Sequence, residues 1–258
     1  MRPQRPTVLI TGAARRLGRH LALHLAGQGY DIALHHRSAP DADADSLCAE
    51  LRSLGARAIA LAAELEDEAA VDALVPAAVA QLGRLDAVVN NASLFSHDTI
   101  ESFSYAALER HQRANTAAAL VLARALHRHC VAAGHAGCVV NVLDQKLWNP
   151  NPDHLSYTLS KAALEAATPV LAQALAPQVR VVGVALGVTL PSGPMTEAEF
   201  QAAHRLTPLE RSSTPDDFAQ AVAYLLQARA VTGTTLLVDG GQHLAAQPRD
   251  VYYLVKKD

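Results

Sequence analysis

Seven short apolar runs recur along the chain, each parted from the next by a longer stretch: TVLIT (Thr7 to Thr11), DIALHH (Asp31 to His36), RAIAL (Arg57 to Leu61), LDAVVN (Leu85 to Asn90), CVVNVL (Cys138 to Leu143), VRVVGVAL (Val179 to Leu186) and TLLVD (Thr235 to Asp239). Nearly every position in these runs is apolar, whereas a strand with one wet face would alternate. They are expected to be strands covered on both sides, in a parallel sheet sandwiched between helices.

Helical patterns fill the gaps, at Leu17 to Ala26, Ser46 to Leu54, Glu66 to Leu82, Tyr105 to Ala133, Leu155 to Ala176 and Pro215 to Arg229. In the first, Leu17, Leu21 and Leu25 repeat every four residues as one buried stripe, with His20 and His24 off it. Strand and helix alternate throughout. With right-handed crossovers this predicts an α/β fold with a doubly wound, Rossmann-type, seven-stranded parallel sheet, whose ligands lie beyond the carboxyl ends of the strands. Pro76 and Pro169 fall inside helical patterns and are expected to kink or shorten them. The chain has 258 residues, half of them hydrophobic, and shows no repeat, linker or composition shift, so one domain spanning 1–258 is expected.

Charge narrows the partners. Lysine plus arginine (22) nearly balances aspartate plus glutamate (25), and the net charge of −3 offers no electrostatic case for nucleic acid or an anionic membrane. Small molecules, or copies of the chain itself, are expected instead. Cys48, Cys130 and Cys138 form no CxxC pair, which favours reduced core thiols. His127, His129 and Cys130 point in different directions on one helix, so no metal site is expected there. MRPQRP, ahead of the first strand, is too short and polar for a signal peptide, and the apolar stretch from Thr168 to Leu190 is broken by Gln173, Gln178 and Arg180. The expectation is a soluble, cytoplasmic protein.

Directly after the first strand comes TGAARRLGRH. Gly12 lets the chain reverse tightly, Gly18 lets helix and strand approach, and the free amides at the helix start can bind a pyrophosphate. On a strand-turn-helix this pair points to a dinucleotide. Arg16 stands where an ordinary dinucleotide loop carries its middle glycine, so its guanidinium is expected along the phosphates or toward the substrate. The second strand runs into LHHRSA, which has no acid for ribose hydroxyls; His36, Arg37 and Ser38 instead offer a cation and donors suited to a 2′-phosphate. NADPH is therefore preferred over NADH. After the third strand, Glu64 and Leu65 occupy the loop where an acid can accept from the adenine amino group; a plain helix-terminal acid is the alternative.

Tyr157 and Lys161 are four apart in YTLSK and share one helix face. A cation near a phenol favours the phenolate and lowers a pKa that is ordinarily about 10, so Tyr157 is expected to donate a proton near neutral pH.

Together, TGAARRLG, NNAS at Asn90 to Ser93, Asn115, Tyr157 with Lys161, and VDGG at Val238 to Gly241 resemble the short-chain dehydrogenase/reductase family across nearly the whole chain. The resemblance implies that Asn90 backs the cofactor, that Asn115 holds a water in a proton relay with Lys161, that Tyr157 is the acid and that Lys161 binds the nicotinamide ribose. It also implies cofactor contacts at Leu17, Ala92, Ser93 and Gly187, and a homotetramer. Within the family the likeness narrows to the pteridine reductases: Arg16, HHRS, Asp144 where a serine is usual, and Phe95 in NNASLF. In that likeness Phe95 sandwiches a flat pterin over the nicotinamide and Ser93 bonds beside it, although core packing is the alternative for Phe95.

A serine at position 144 would steady a developing alkoxide, which a carboxylate repels. Reducing a C=N bond instead needs a proton delivered to nitrogen, and an acid beside a tyrosine and a lysine can supply or relay it. A loop aspartate satisfying turn amides is the alternative for Asp144. Leu186 stands before Gly187 where the family usually has proline. Residues 188–214, with Pro191, Pro194 and Pro208, suit a substrate lid. Lys146 and Trp148 either line the pocket or cover the sheet edge.

Overall fold

The computed structural model describes residues 5–192 and 195–256; Pro194 of the expected lid lies outside them. The expected strands are all present: β1 (Thr7–Ile10), β2 (Asp31–His36), β3 (Ala58–Ala62), β4 (Ala87–Asn90), β5 (Gly137–Asp144), β6 (Val179–Leu186) and β7 (Thr235–Val238). They form one seven-stranded sheet in the order β3-β2-β1-β4-β5-β6-β7, and every neighbouring pair is parallel.

Side-chain alternation along the strands divides the core in two. Val8 and Ile10 of β1, Ile32 and Leu34 of β2, and Val182 and Val184 of β6 meet helices α1 (Arg16–Gly27), α2 (Ala42–Ser53) and α8 (Pro215–Gln227). The residues between them, such as Leu9, Ala33 and Val181, meet α3 (Glu68–Leu82), α5 (Ala118–Ala133) and the end of α6 (Leu155–Ala174). The apolar runs follow from this double covering. Cys48, Cys130 and Cys138 are free thiols buried in these cores, and burial pushes the Cys130 and Cys138 thiols up to about 11.

Three helical details depart from expectation. Neither Pro76 nor Pro169 shortens its helix to end there; α3 and α6 run through them, because one missing amide costs less than losing an apolar face packed on the sheet. The long helix expected from Tyr105 to Ala133 is three pieces: α4 (Tyr105–His111), a π-helical turn at Gln112–Ala117 and α5. The lid contains α7 (Glu197–Arg205), started by a reciprocal cap in which Thr196 Oγ1 accepts from Glu199 N and Glu199 Oε2 accepts from Thr196 N. A last short helix, α9 (Val251–Val255), brings the chain end back over the carboxyl ends of the strands. Among the described residues, no helix is long and apolar enough to cross a membrane.

Candidate active site

The strand order turns around between β1 and β4, and the glycine loop fills the crevice there. Thr11 Oγ1 accepts from Asn91 N at 3.0 Å and Ala92 N at 2.9 Å, and Asn91 Nδ2 donates to Thr11 O at 2.8 Å, so the ends of the two strands are stitched together. Gly12 has φ +62, and a Cβ on it would lie 3.0 Å from Ala92 Cβ. A Cβ on Gly18 would lie 2.3 Å from Gly12 O. Both glycines are required by close approach. Arg16 takes the left-handed backbone (φ 52) that a glycine adopts freely, and it opens α1. Its guanidinium donates to Pro191 O at 2.9 Å, tying the loop to the lid segment.

His35 and His36 have different surroundings. His35 is buried and held neutral by that burial; its Nδ1 accepts from Gly12 N at 3.1 Å and its Nε2 faces Ala63 O at 3.0 Å, which fastens the glycine loop to β2 and β3. His36 packs at the strand end with Nδ1 3.2 Å from Ser38 O. Beyond it the exposed Arg37 donates to Glu64 Oε2 at 2.7 Å, so two expected cofactor contacts pair with one another. The Leu65 side chain packs against the core on the α3 side. His36, Arg37, Ser38 and Glu64 lie outside the central cavity.

That cavity, of about 440 Å³, is lined by Arg16, Leu17, Ser93, Phe95, Asp144, Tyr157, Lys161 and Gly187, eight of the residues expected from sequence. A Cβ on Gly187 would stand 2.4 Å from Ser212 Oγ, so glycine is needed at this wall whatever precedes it. Ser93 Oγ is exposed and donates to Leu94 O at 3.3 Å. Phe95 is 49 % exposed, stacked on His154 at 4.3 Å and set edge-on to Tyr157 at 4.7 Å. Core packing is thereby excluded for Phe95.

Asp144 is gripped at both oxygens. Oδ1 accepts from Lys146 N at 2.9 Å, capping the 3₁₀ turn Gln145–Trp148, and Oδ2 accepts from Tyr157 Oη at 2.9 Å. The turn-capping and phenol-facing readings hold together, one oxygen each. Burial pushes the Asp144 carboxyl up, against the pull of its two donors. Lys161 is buried and donates from Nζ to Val142 O at 2.8 Å; burial brings it down to about 8.

The tyrosine corrects the expectation. Burial, and then the Asp144 carboxylate, push Tyr157 well above its ordinary value. Lys161 Nζ stands 6.0 Å from the ring centroid and spends its hydrogen bond on the strand, so the carboxylate outweighs the cation. Two asparagines brace the backbone around the site. Asn90 is buried and donates to Asn141, which donates to Thr168, a ladder inside the core; Asn91 faces the cavity instead. The Asn115 side chain sits in the π-helical turn, clamps Leu94 N and O, and donates to Ser160 Oγ.

Sequence reading missed several groups. Asp98 is buried and accepts from Ser156 N at 3.0 Å, fixing the start of α6. Asp250, Val251 and Tyr252 reach the cavity from the chain end. Lys146 lines it too, buried with Nζ donating to Asp153 O and 3.7 Å from Asp250 Oδ2, whereas Trp148 is not among its walls. The second asparagine of NNAS and the first histidine of HHRS were visible signals; the tail carried none.

Comparison with known proteins gives the family. A family model described as enoyl-(acyl carrier protein) reductase, of the short-chain dehydrogenase type, matches residues 12–243. Pteridine reductase 1 of Leishmania tarentolae is 32 % identical, over 94 % of this chain and 98 % of that protein. An L-rhamnose 1-dehydrogenase (NAD(P)(+)) of Sphingomonas sp. (strain SKA58) is 30 % identical, over 93 % and 97 %. The crystal structure of FolM alternative dihydrofolate reductase 1 from Brucella suis in complex with NADP superposes with a TM-score of 0.88 at 36 % identity, covering 94 % of this chain and 96 % of that one. The chain belongs to the short-chain dehydrogenase/reductase family, and its relatives include the pteridine reductases.

Proposed function

We propose that the protein is an NADPH-dependent reductase of a pterin, of the dihydrobiopterin, dihydromonapterin or dihydrofolate type. The observation that carries this reading is the 2.9 Å bond between Asp144 Oδ2 and Tyr157 Oη, with the half-exposed ring of Phe95 edge-on to the tyrosine at 4.7 Å. The glycine loop fits a dinucleotide, since the space a Cβ would need at Gly12 and Gly18 is already taken by backbone and Ala92. Arg37 and Ser38, at the end of β2, would face the 2′-phosphate, with Glu64 released from Arg37 on the adenine side; Lys161 would hold the nicotinamide ribose. NADPH supplies a hydride when bound.

The chain supplies the proton. Tyr157 donates to the ring nitrogen of a C=N bond as its carbon receives the hydride. Leaving a phenolate beside a carboxylate is costly, and the Asp144 carboxyl, which burial pushes up, is placed to take up a proton and pass it to the phenol oxygen. An alkoxide developing beside the ionised form would be repelled, which disfavours ketones. Arg16, Ser93 and Phe95 place the flat ring. A single Rossmann domain and a cytoplasmic setting, read from length and composition, and a homotetrameric assembly, implied by family resemblance, complete the reading.

The test is NADPH oxidation against dihydropterins, dihydrofolate, quinones and ketones, repeated with Asp144→Ser. Lost pterin turnover with improved ketone turnover is expected; unchanged rates on both would overturn the proposal. The sugar dehydrogenase relative makes a carbonyl substrate the alternative, and the same panel separates the two.

A further inference from the structure

The segment after β7 delivers a second carboxylate to the cavity. It is fastened onto the loop that precedes α6: Arg249 Nε donates to Asp153 Oδ1 and Oδ2 at 3.0 and 2.8 Å, Asp250 N donates to Asp153 Oδ2 at 2.7 Å, and Asn149 Nδ2 donates to Ala245 O. The two oxygens of Asp250 are not equivalent. Oδ1 accepts from Tyr252 N at 3.1 Å and caps α9. Oδ2 stands 3.7 Å from the buried Lys146 ammonium, close enough to balance charge and too far for a normal hydrogen bond. Asp250 lines the cavity, whose wall also holds Asp144, Phe95 and Tyr157.

A carboxylate held in this way and partly withdrawn from water is best satisfied by two parallel N–H donors in one plane. The 2-amino-4-oxopyrimidine edge of a pterin presents that pair, a ring N–H beside an amino group. Sugars, ketones and steroids do not. We infer that Asp250 is a specificity-determining residue, its carboxylate receiving the ring N–H and 2-amino group of the substrate while Lys146 holds it in position. This rests on the pterin reading above.

The experiment compares two substrates that differ at one atom group: 7,8-dihydropterin, and 7,8-dihydrolumazine, in which oxygen replaces the 2-amino group. The wild-type protein is expected to prefer the first at least 10-fold in kcat/KM; a preference below twofold overturns the inference even if no variant can be prepared. Asp250→Asn keeps the shape and the cap acceptor but turns one oxygen into a donor. It is expected to raise KM for dihydropterin at least 10-fold and KM for dihydrolumazine less than twofold, with Asp250→Glu recovering part of the loss. Equal rises on both substrates would mean that Asp250 only clasps the tail, and the inference falls. Should wild type reduce ketones and no dihydropterin, the pterin reading itself fails and takes this one with it; dihydropterin turnover with an unchanged ratio in Asp250→Asn sinks the inference alone.

Discussion

Replacing Lys161 with methionine should make the protein more stable at neutral pH while removing its reductase activity. Burial lowers this ammonium from 10.5 to about 8, a displacement of 2.5 pH units. At about 1.36 kcal/mol per unit, keeping the lysine charged inside the fold costs about 3 kcal/mol at pH 7. Methionine has similar length and no charge to desolvate, but it leaves Val142 O without its donor, a loss of about 1 kcal/mol. The net gain is about 2 kcal/mol, or roughly 4–8 °C in Tm for a chain of this size. The pH dependence has a definite sign. Between about 8 and 10.5 the unfolded lysine binds a proton that the folded one has lost, so wild-type stability from this group rises with pH across that window. The advantage of Lys161→Met should therefore shrink to about zero by pH 10. Urea unfolding of both proteins at pH 7, 9 and 10 reads the difference directly. A variant less stable than wild type at pH 7, or a difference that does not change with pH, would refute a buried ammonium at this position.

Two further substitutions test the cofactor end. Gly18→Ala places a Cβ 2.3 Å from Gly12 O, so the loop must move; a loss of about 2 kcal/mol in stability and a dissociation constant for NADPH raised at least 10-fold are expected, read by thermal melts and fluorescence titration. Arg37→Ala removes only an exposed ion pair with Glu64, so stability should change by less than about 1 kcal/mol. Its KM for NADPH should nevertheless rise about 10–100-fold, from about 1.5–3 kcal/mol of charged hydrogen bonding, with KM for NADH unmoved.

The architecture was legible because it depends on short-range pattern. Strands buried on both faces must be apolar throughout, and β2, β5 and β6 are visible as such runs without any knowledge of their partners. Where local pattern and tertiary packing compete, the pattern is less informative. Pro76 and Pro169 carry a local penalty that the buried faces of α3 and α6 outweigh. The π-helical turn that holds Asn115 has no signature in QRANTA, because what places it is the clamp of that side chain on Leu94 and Ser160. The cap that starts α7 was readable in TEAE and is the one missed helix the sequence announces.

The site divides along the same line. Gly12, Gly18, Asp144, Tyr157 and Lys161 were legible because each residue type is demanded by its chemistry: no room for a Cβ, an acid, a phenol, a cation. What cannot be read from residue types is which charge controls which. Tyrosine and lysine at a spacing of four imply a phenol softened by an ammonium, yet the distance that matters lies between Tyr157 and a carboxylate 13 residues away on a different element. Burial first, and that carboxylate next, turn the tyrosine shift upward, while the cation lies 6.0 Å from the ring with its hydrogen bond committed to Val142. The same holds for the chain end. Arg249 and Asp250 meet Asp153 across 96 and 97 residues, and neither charge differs in sequence from an ordinary solvated one. Only when the strands have brought the loop and the tail to one rim does Asp250 become a wall of the cavity, in company with Asp144 and Tyr157.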